Sequence, residues 1–325
     1  RLEDGPGTGK SAVISANKKL THDLMVQRGF EHLVPKQVCF SRVYTQDLAE
    51  KITQGLGVGE DDVVVLKLCN RTRAAGVLPV PVLDLDNMLK KVLKMPKDMD
   101  GWLSRELAKG DEATLQIPYA CLEEHIRHWW SCECPFFVAE RLATSTPTSS
   151  NWSGQELEYD GTMRVAFALR RKYRDKERSP PGQYGGSQHM PEPADIDIEW
   201  LGGYWKLPKE PAESCKLRES IISAAKTGTT YVDTNHLLEV FAAMGDSLQQ
   251  LFGGSEPVAS TLASQYAEDP VLASYLVGRI GIAMRDLSSC RRTCDLARKV
   301  LDKADDSPSK QCAQSFINRG FGVVD

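Results

Sequence analysis

The segment Asp62-Val63-Val64-Val65-Leu66-Lys67-Leu68 constrains the fold more than any other stretch of the chain. Its apolar residues fall on both faces of an extended backbone, interrupted only by Lys67, and turn-forming residues bound it. A β-branched run of that kind predicts a strand buried on both sides. Such a strand needs helices or a second sheet to cover it, so the chain must build layers around it. Pro135-Phe136-Phe137-Val138-Ala139-Glu140-Arg141-Leu142 reads as a second strand of the same character.

The remaining periodicity sorts the chain into an N-terminal part mixing strands and helices and a helical C-terminal part. Helices are predicted over 11–29, with Gly29 as the stop, and over 46–55, 84–110 (mixed) and 119–130. Further strands are predicted from Val34 to Phe40, from Thr162 to Leu169 after the Asp160-Gly161 turn, and from Glu199 to Leu207. Residues 144–154 read as a Ser/Thr/Pro-rich loop and 171–194 as a charged, Pro/Gly/Ser-rich mobile loop. Helical spacing then dominates 235–251, 257–267, 270–286 and 290–303. No internal repeat is present.

With 325 residues, 41% of them hydrophobic, the chain can bury a core of about two domains. A net charge of −4 and a pI near 6.0 argue against a general nucleic-acid binder. No apolar run reaches the roughly 20 residues of a membrane span; Val271 to Met284 is broken by Gly278, Arg279 and Gly281. Nine scattered cysteines, mostly inside apolar runs, fit reduced thiols of a cytoplasm or organelle matrix, and the expected location is intracellular. The chain begins at Arg1 with no signal-peptide pattern, and part of the native N-terminus is expected to be missing.

Gly5-Pro6-Gly7-Thr8-Gly9-Lys10-Ser11 looks like a phosphate-cradling P-loop, but the position of its first glycine holds Asp4. No buried strand precedes it, and no apolar strand ending in Asp follows to bind magnesium. A P-loop NTPase using Lys10 and Ser11 is therefore a secondary reading, beside that of a loop opening a helix.

Several segments in order resemble the ATP-grasp superfamily, over most of residues 1–170. Asn17-Lys18-Lys19-Leu20-Thr21-His22 with Gly29-Phe30 and Val34-Pro35 is similar to the family's helix bearing the first ATP lysine, which would be Lys18 or Lys19. Val63 to Lys67, followed by Asn70-Arg71-Thr72-Arg73-Ala74-Ala75-Gly76-Val77, resembles the second lysine strand and its phosphate-covering loop. Here only Gly76 and two alanines provide small residues, and Arg71 and Arg73 are added, which suggests a stiffer loop and extra positive charge. A lysine at a strand end offers fixed charge to phosphates, while backbone N–H groups close over them. The Phe136–Leu142 strand resembles the adenine hinge, so Glu140, Arg141 and Leu142 would face the base. Glu158, or Glu156, falls where a ribose carboxylate is expected, and Arg164 looks like the family's strand-borne basic residue.

The resemblance implies an α+β, ATP-grasp-like fold, two subdomains clasping a nucleotide, with a C-terminal helical region. The expected divisions are 1–60, 61–145, 146–235 and 236–325. ATP and Mg²⁺ are the implied cofactors, with a small-molecule or peptide carboxylate as substrate. The implied reaction is ATP-dependent ligation to an amine or thiol through an acyl phosphate. Magnesium would fall to Asp233 and Asn235, with Glu199 or Asp197 upstream. Asp233-Thr234-Asn235 equally reads as the cap of the following helix. The alternative is a catalytically inactive ATP-grasp-like subunit whose C-terminal helices bind protein partners; the imperfect metal motif and the lack of a preceding Rossmann-like domain favour it.

Two cysteine groupings and one glycine pair complete the motifs. Cys121, His125, His128, Cys132 and Cys134 invite a zinc reading, although Cys132-x-Cys134 has the wrong spacing; a helix packed beneath the sheet is the plainer account. Cys290 and Cys294 share a helix face. Gly202-Gly203-Tyr204-Trp205-Lys206-Leu207-Pro208 reads as a core strand turning at Pro208, or as a pocket floor.

Overall fold

In the computed structural model the described residues are 17–71, 74–98, 101–102, 104–105, 126–131, 134–143, 148–150, 156–171, 196–214, 217–221, 228–252, 258–282 and 287–321. They form an α+β structure whose strand pairings are antiparallel.

The principal sheet holds β1 (Gln37–Ser41), β2 (Val63–Leu68), β3 (Leu78–Pro81) and β4 (Phe136–Arg141) in the order β1-β4-β2-β3. As the run of valines requires, both faces are covered. On one face Val38, Leu66, Ala139 and Phe137 meet α2 (Leu48–Leu56) and α3 (Leu85–Leu93), which turn Ile52, Leu56, Leu89 and Val92 inward. Gly55 lies so close to Val38 that an added Cβ would sit 2.9 Å from its Cγ1. The other face carries Gln37, Cys39, Val65, Lys67, Val138 and Glu140, by the alternation of the strands. α1 (Lys18–Gln27) packs against β1.

The helical region follows: α5 (Thr234–Phe252), α6 (Val258–Gln265), α7 (Pro270–Ile282), α8 (Leu287–Leu301) and α9 (Pro308–Phe321). It is not a separate body. Leu262, Leu276, Leu301 and Ile317 belong to one continuous core with Leu20 and the principal sheet, and the Tyr275 ring lies 5.9 Å from that of Phe136. The expected boundary at 60/61 likewise runs through the sheet, because β1 pairs along its length with β4.

Between these parts lie the ribbon β5 (Thr148–Ser150) with β6 (Leu157–Tyr159), and a sheet of β7 (Thr162–Arg171), β8 (Ile196–Lys206) and β9 (Thr229–Tyr231). A short α4 (Leu217–Ile221) precedes β9. The paired glycines have separate local tasks. Gly202 has φ 116° where the β7/β8 register shifts, a conformation open to glycine alone. Gly203 admits α5, since a Cβ there would meet Leu237 Cδ1 at 2.6 Å. Trp200 stacks on Phe241 of α5, with ring centroids 4.2 Å apart.

Several expected boundaries need correction. α3 ends at Leu93, and helical residues recur at 101–102 and 104–105 within the expected mixed stretch. β7 runs two residues past Leu169, into the start of the expected loop, and β8 begins at Ile196. Part of the expected 144–154 loop is β5, and β3, β9 and α9 are elements the pattern reading omits. The P-loop-like segment 5–11, the stretch 172–194 and residues 119–125 lie outside the described residues. No helix among the described residues is long and apolar enough to cross a membrane.

Candidate functional site

The candidate site is assembled on the α1-side face of the principal sheet. Asn17 caps α1, its side-chain oxygen accepting from Leu20 N at 3.0 Å, and the Lys18 N–H donates to Cys69 O at 3.0 Å. The helix start is thereby fastened to the exit of β2. The Lys18 ammonium completes the joint by donating to Leu68 O at 2.9 Å and to Arg71 O.

Lys67 and Glu140 meet through strand register. Lys67 is opposite Val138, so Glu140, two residues on, is its diagonal neighbour on the same face. Gln37 is directly opposite Glu140 on β1. Lys67 forms an ion pair with Glu140 Oε2, and Gln37 Nε2 donates to Glu140 Oε1 at 2.7 Å. The Glu140 side chain is 8% exposed and that of Lys67 25% exposed, so the carboxylate is enclosed while the lysine side chain is partly open to water.

Lys18 belongs to the same electrostatic neighbourhood. Burial is the main cause of its lowered pKa; Lys67 lowers it further, while Cys69 and Glu140 act in the opposite sense. Beneath it, burial would raise the Cys134 thiol, but a hydrogen bond from Cys69 and the charge of Arg42 help to hold it at about 7. Cys69 is pushed up by its contacts with Cys134 and Cys39. Alongside, Asp23 accepts from Lys19 at 2.5 Å and from the Tyr266 hydroxyl at 2.8 Å. Lys19, the alternative first lysine, is thus engaged away from Glu140.

Shortly before β3, Gly76 is closely packed. Gly76 has φ 70°, its carbonyl accepts from the Trp129 indole at 2.8 Å, and a Cβ would sit 2.7 Å from Leu68 Cδ1. Ala74 is also left-handed, at φ 60°. Arg71 points a guanidinium nitrogen toward Ser131 O at 3.4 Å. Arg73 lies outside the described residues.

Other expected site residues lie elsewhere. At the expected hinge residues both backbone N–H groups are paired within the protein: Arg141 N donates to Lys36 O and Leu142 N to Val63 O, each at 3.0 Å. A strand paired on both sides offers no free edge to a base. The Arg141 side chain reaches Asp62 at 3.8 Å. Glu158 is exposed on β6, and its carbonyl accepts from Ala212 N at 2.9 Å. Arg164 is on the three-stranded sheet, beside Lys206.

Two of the expected magnesium residues have partners of their own. Asp233 Oδ1 accepts from Asn235 N at 2.9 Å and His236 N at 3.4 Å, so it caps α5. Glu199 is paired with Arg170 at 2.5 Å, an exposed cross-strand ion pair. Among the described residues no group of three or more His, Cys, Asp and Glu side chains is placed to hold a metal. Of the zinc candidates, Cys121, His125 and Cys132 lie outside the described residues, and Cys134 is buried beside Cys69.

Pattern reading selects Lys18, Lys67 and Glu140 separately but misses Gln37. Its only signal is position: a polar residue opening a short strand. Comparisons with protein-family models, curated proteins and solved structures found no match to this chain.

Proposed function

We propose that this chain is an ATP-grasp-like nucleotide-binding protein that holds the phosphates of ATP between Lys18 and Lys67. The observation carrying this reading is the convergence of the two lysines, 49 positions apart, on the neighbourhood of Glu140. Lys18 uses two of its three N–H groups on backbone carbonyls, and the third suits a phosphate oxygen. Glu140 acts as a resting counter-ion that keeps Lys67 in place until a phosphate takes over. In the active form of this reading, the bound ATP drives ligation of a carboxylate through an acyl phosphate.

A second reading, the non-catalytic subunit, has its own observation. Asp233 caps a helix and Glu199 pairs with Arg170, so both expected Mg²⁺ carboxylates already have partners of their own. Calorimetry with ATP tests nucleotide binding: Lys67→Met/Glu140→Gln should lose it while staying folded, and Lys10→Ala should retain it. Undiminished affinity in the double variant overturns the proposal, and loss in Lys10→Ala favours the P-loop. ATP turnover coupled to a carboxylate acceptor separates ligase from inactive subunit.

A further inference from the structure

The β7-β8-β9 sheet presents one face to α5, and among the described residues no element with several contacts to the sheet packs on the other. Gly203, Trp200 and Trp205 serve the covered face, through Leu237, Phe241 and His236. On that other face, register places Arg164, Tyr204 and Tyr231 side by side in one row across three adjacent strands. Lys206 stands one row on, diagonal to Arg164. Arg164 is exposed, Tyr204 is 45% exposed and Tyr231 is 95% exposed.

Two features distinguish this row from an ordinary solvated face. Directly paired residues on neighbouring strands have Cβ atoms within about 5 Å, so register sets two tyrosines next to each other on this face. Water would ordinarily favour hiding such rings, yet Tyr231 is almost fully exposed. The second feature is two cations of like charge as near neighbours: burial, and then Arg164, lower the Lys206 pKa. A phosphate laid beside them meets two positive charges at once.

The geometry points to the Arg164–Tyr204–Tyr231 row with Lys206 as a binding platform for single-stranded nucleic acid, bases stacking on the tyrosines and phosphates meeting Arg164 and Lys206. A sheet surface bearing aromatics beside a basic track suits unpaired bases, whose π-faces need no sequence match. A net charge of −4 excludes indiscriminate polyanion binding, so recognition must be local and depend on stacking as well as charge. A phosphopeptide would use the cations but leave the paired rings without a role.

The test is fluorescence anisotropy of labelled single-stranded DNA and RNA of about 12 nucleotides, inside the usual range of site sizes, with the full chain and no ATP. Omitting ATP keeps the result separate from that of the nucleotide reading. Tyr231→Ala removes an exposed side chain and should leave the fold intact, yet weaken binding roughly 5- to 140-fold, the loss of one stacked base. Arg164→Ala should flatten the salt dependence by about 0.7 in log–log slope, one phosphate contact fewer. Absence of binding overturns the proposal. So does binding unchanged by Tyr231→Ala, or inorganic polyphosphate competing equally against wild type and Tyr231→Ala, since a bare cation patch would then suffice. Capture of a phosphopeptide but not the oligonucleotide also refutes it.

Discussion

Replacing either member of the Lys67–Glu140 pair should have unequal consequences, and the inequality follows from their enclosure. Lys67→Met leaves the carboxylate of Glu140, 8% exposed, with Gln37 as its remaining donor among the contacts described. Stranding a buried charge typically costs 3–5 kcal/mol. Water reaching Lys67 places this case near the lower end, at about 3 kcal/mol. Glu140→Gln strands the amine instead, on a side chain that is 25% exposed and can turn its head to solvent while its stem stays packed. The loss is then one charge-assisted hydrogen bond, about 1.5 kcal/mol. The double variant leaves no unpaired charge and should cost about 1 kcal/mol, well below the sum of the two single changes. Urea unfolding followed by circular dichroism gives all four values, provided the slopes agree. Equal losses in the two single variants, or additivity in the double, would refute the claim that Glu140 is the enclosed partner.

Gly76→Ala should destabilise by about 2–3 kcal/mol, combining left-handed strain with the clash at Leu68, and should shift Trp129 fluorescence. Burial tends to raise the Asp23 carboxyl, but hydrogen bonds from His22, Lys19 and Tyr266 outweigh it and hold its pKa below 3.8. Its contribution to stability is therefore present above 3.8 and lost as pH falls through the folded value. Tyr266→Phe should cost about 1 kcal/mol and move acid unfolding, followed by ellipticity, to higher pH. For Lys18, burial depresses the folded pKa below 10.5, so between that depressed value and 10.5 the unfolded chain binds the extra proton. Wild-type stability relative to Lys18→Met should therefore rise with pH in that window, as unfolding midpoints would record.

How much of this was legible depended on whether a residue's role is local. β2 and β4 are readable because continuous apolar runs have no other comfortable conformation. β3 is not, because Pro79 and Pro81 demote it; the strand survives by lying at the sheet edge, where missing donors do no harm. α9 had a readable stripe, since Cys312, Ala313, Phe316, Ile317 and Phe321 recur at helical spacing in the sequence, and Ala313 and Ile317 are buried. Its cap, the Ser307 hydroxyl accepting from Lys310 N at 3.1 Å, was a second signal. Lys67 and Glu140 could each be picked out, but not as a pair, because the partnership depends on a register between strands 73 positions apart. The Asp233 cap was readable, since capping is local chemistry.

The strand order has a consequence for synthesis. β4 fills the gap between β1 and β2, yet it leaves the ribosome long after both. Until Arg141 has emerged, the β2–β3 hairpin displays a bare apolar edge and β1 lacks the one strand that pairs with it among the described residues. Nascent chains stalled before Phe136 are therefore the natural clients of holding chaperones, and release from them should coincide with the arrival of that one late strand.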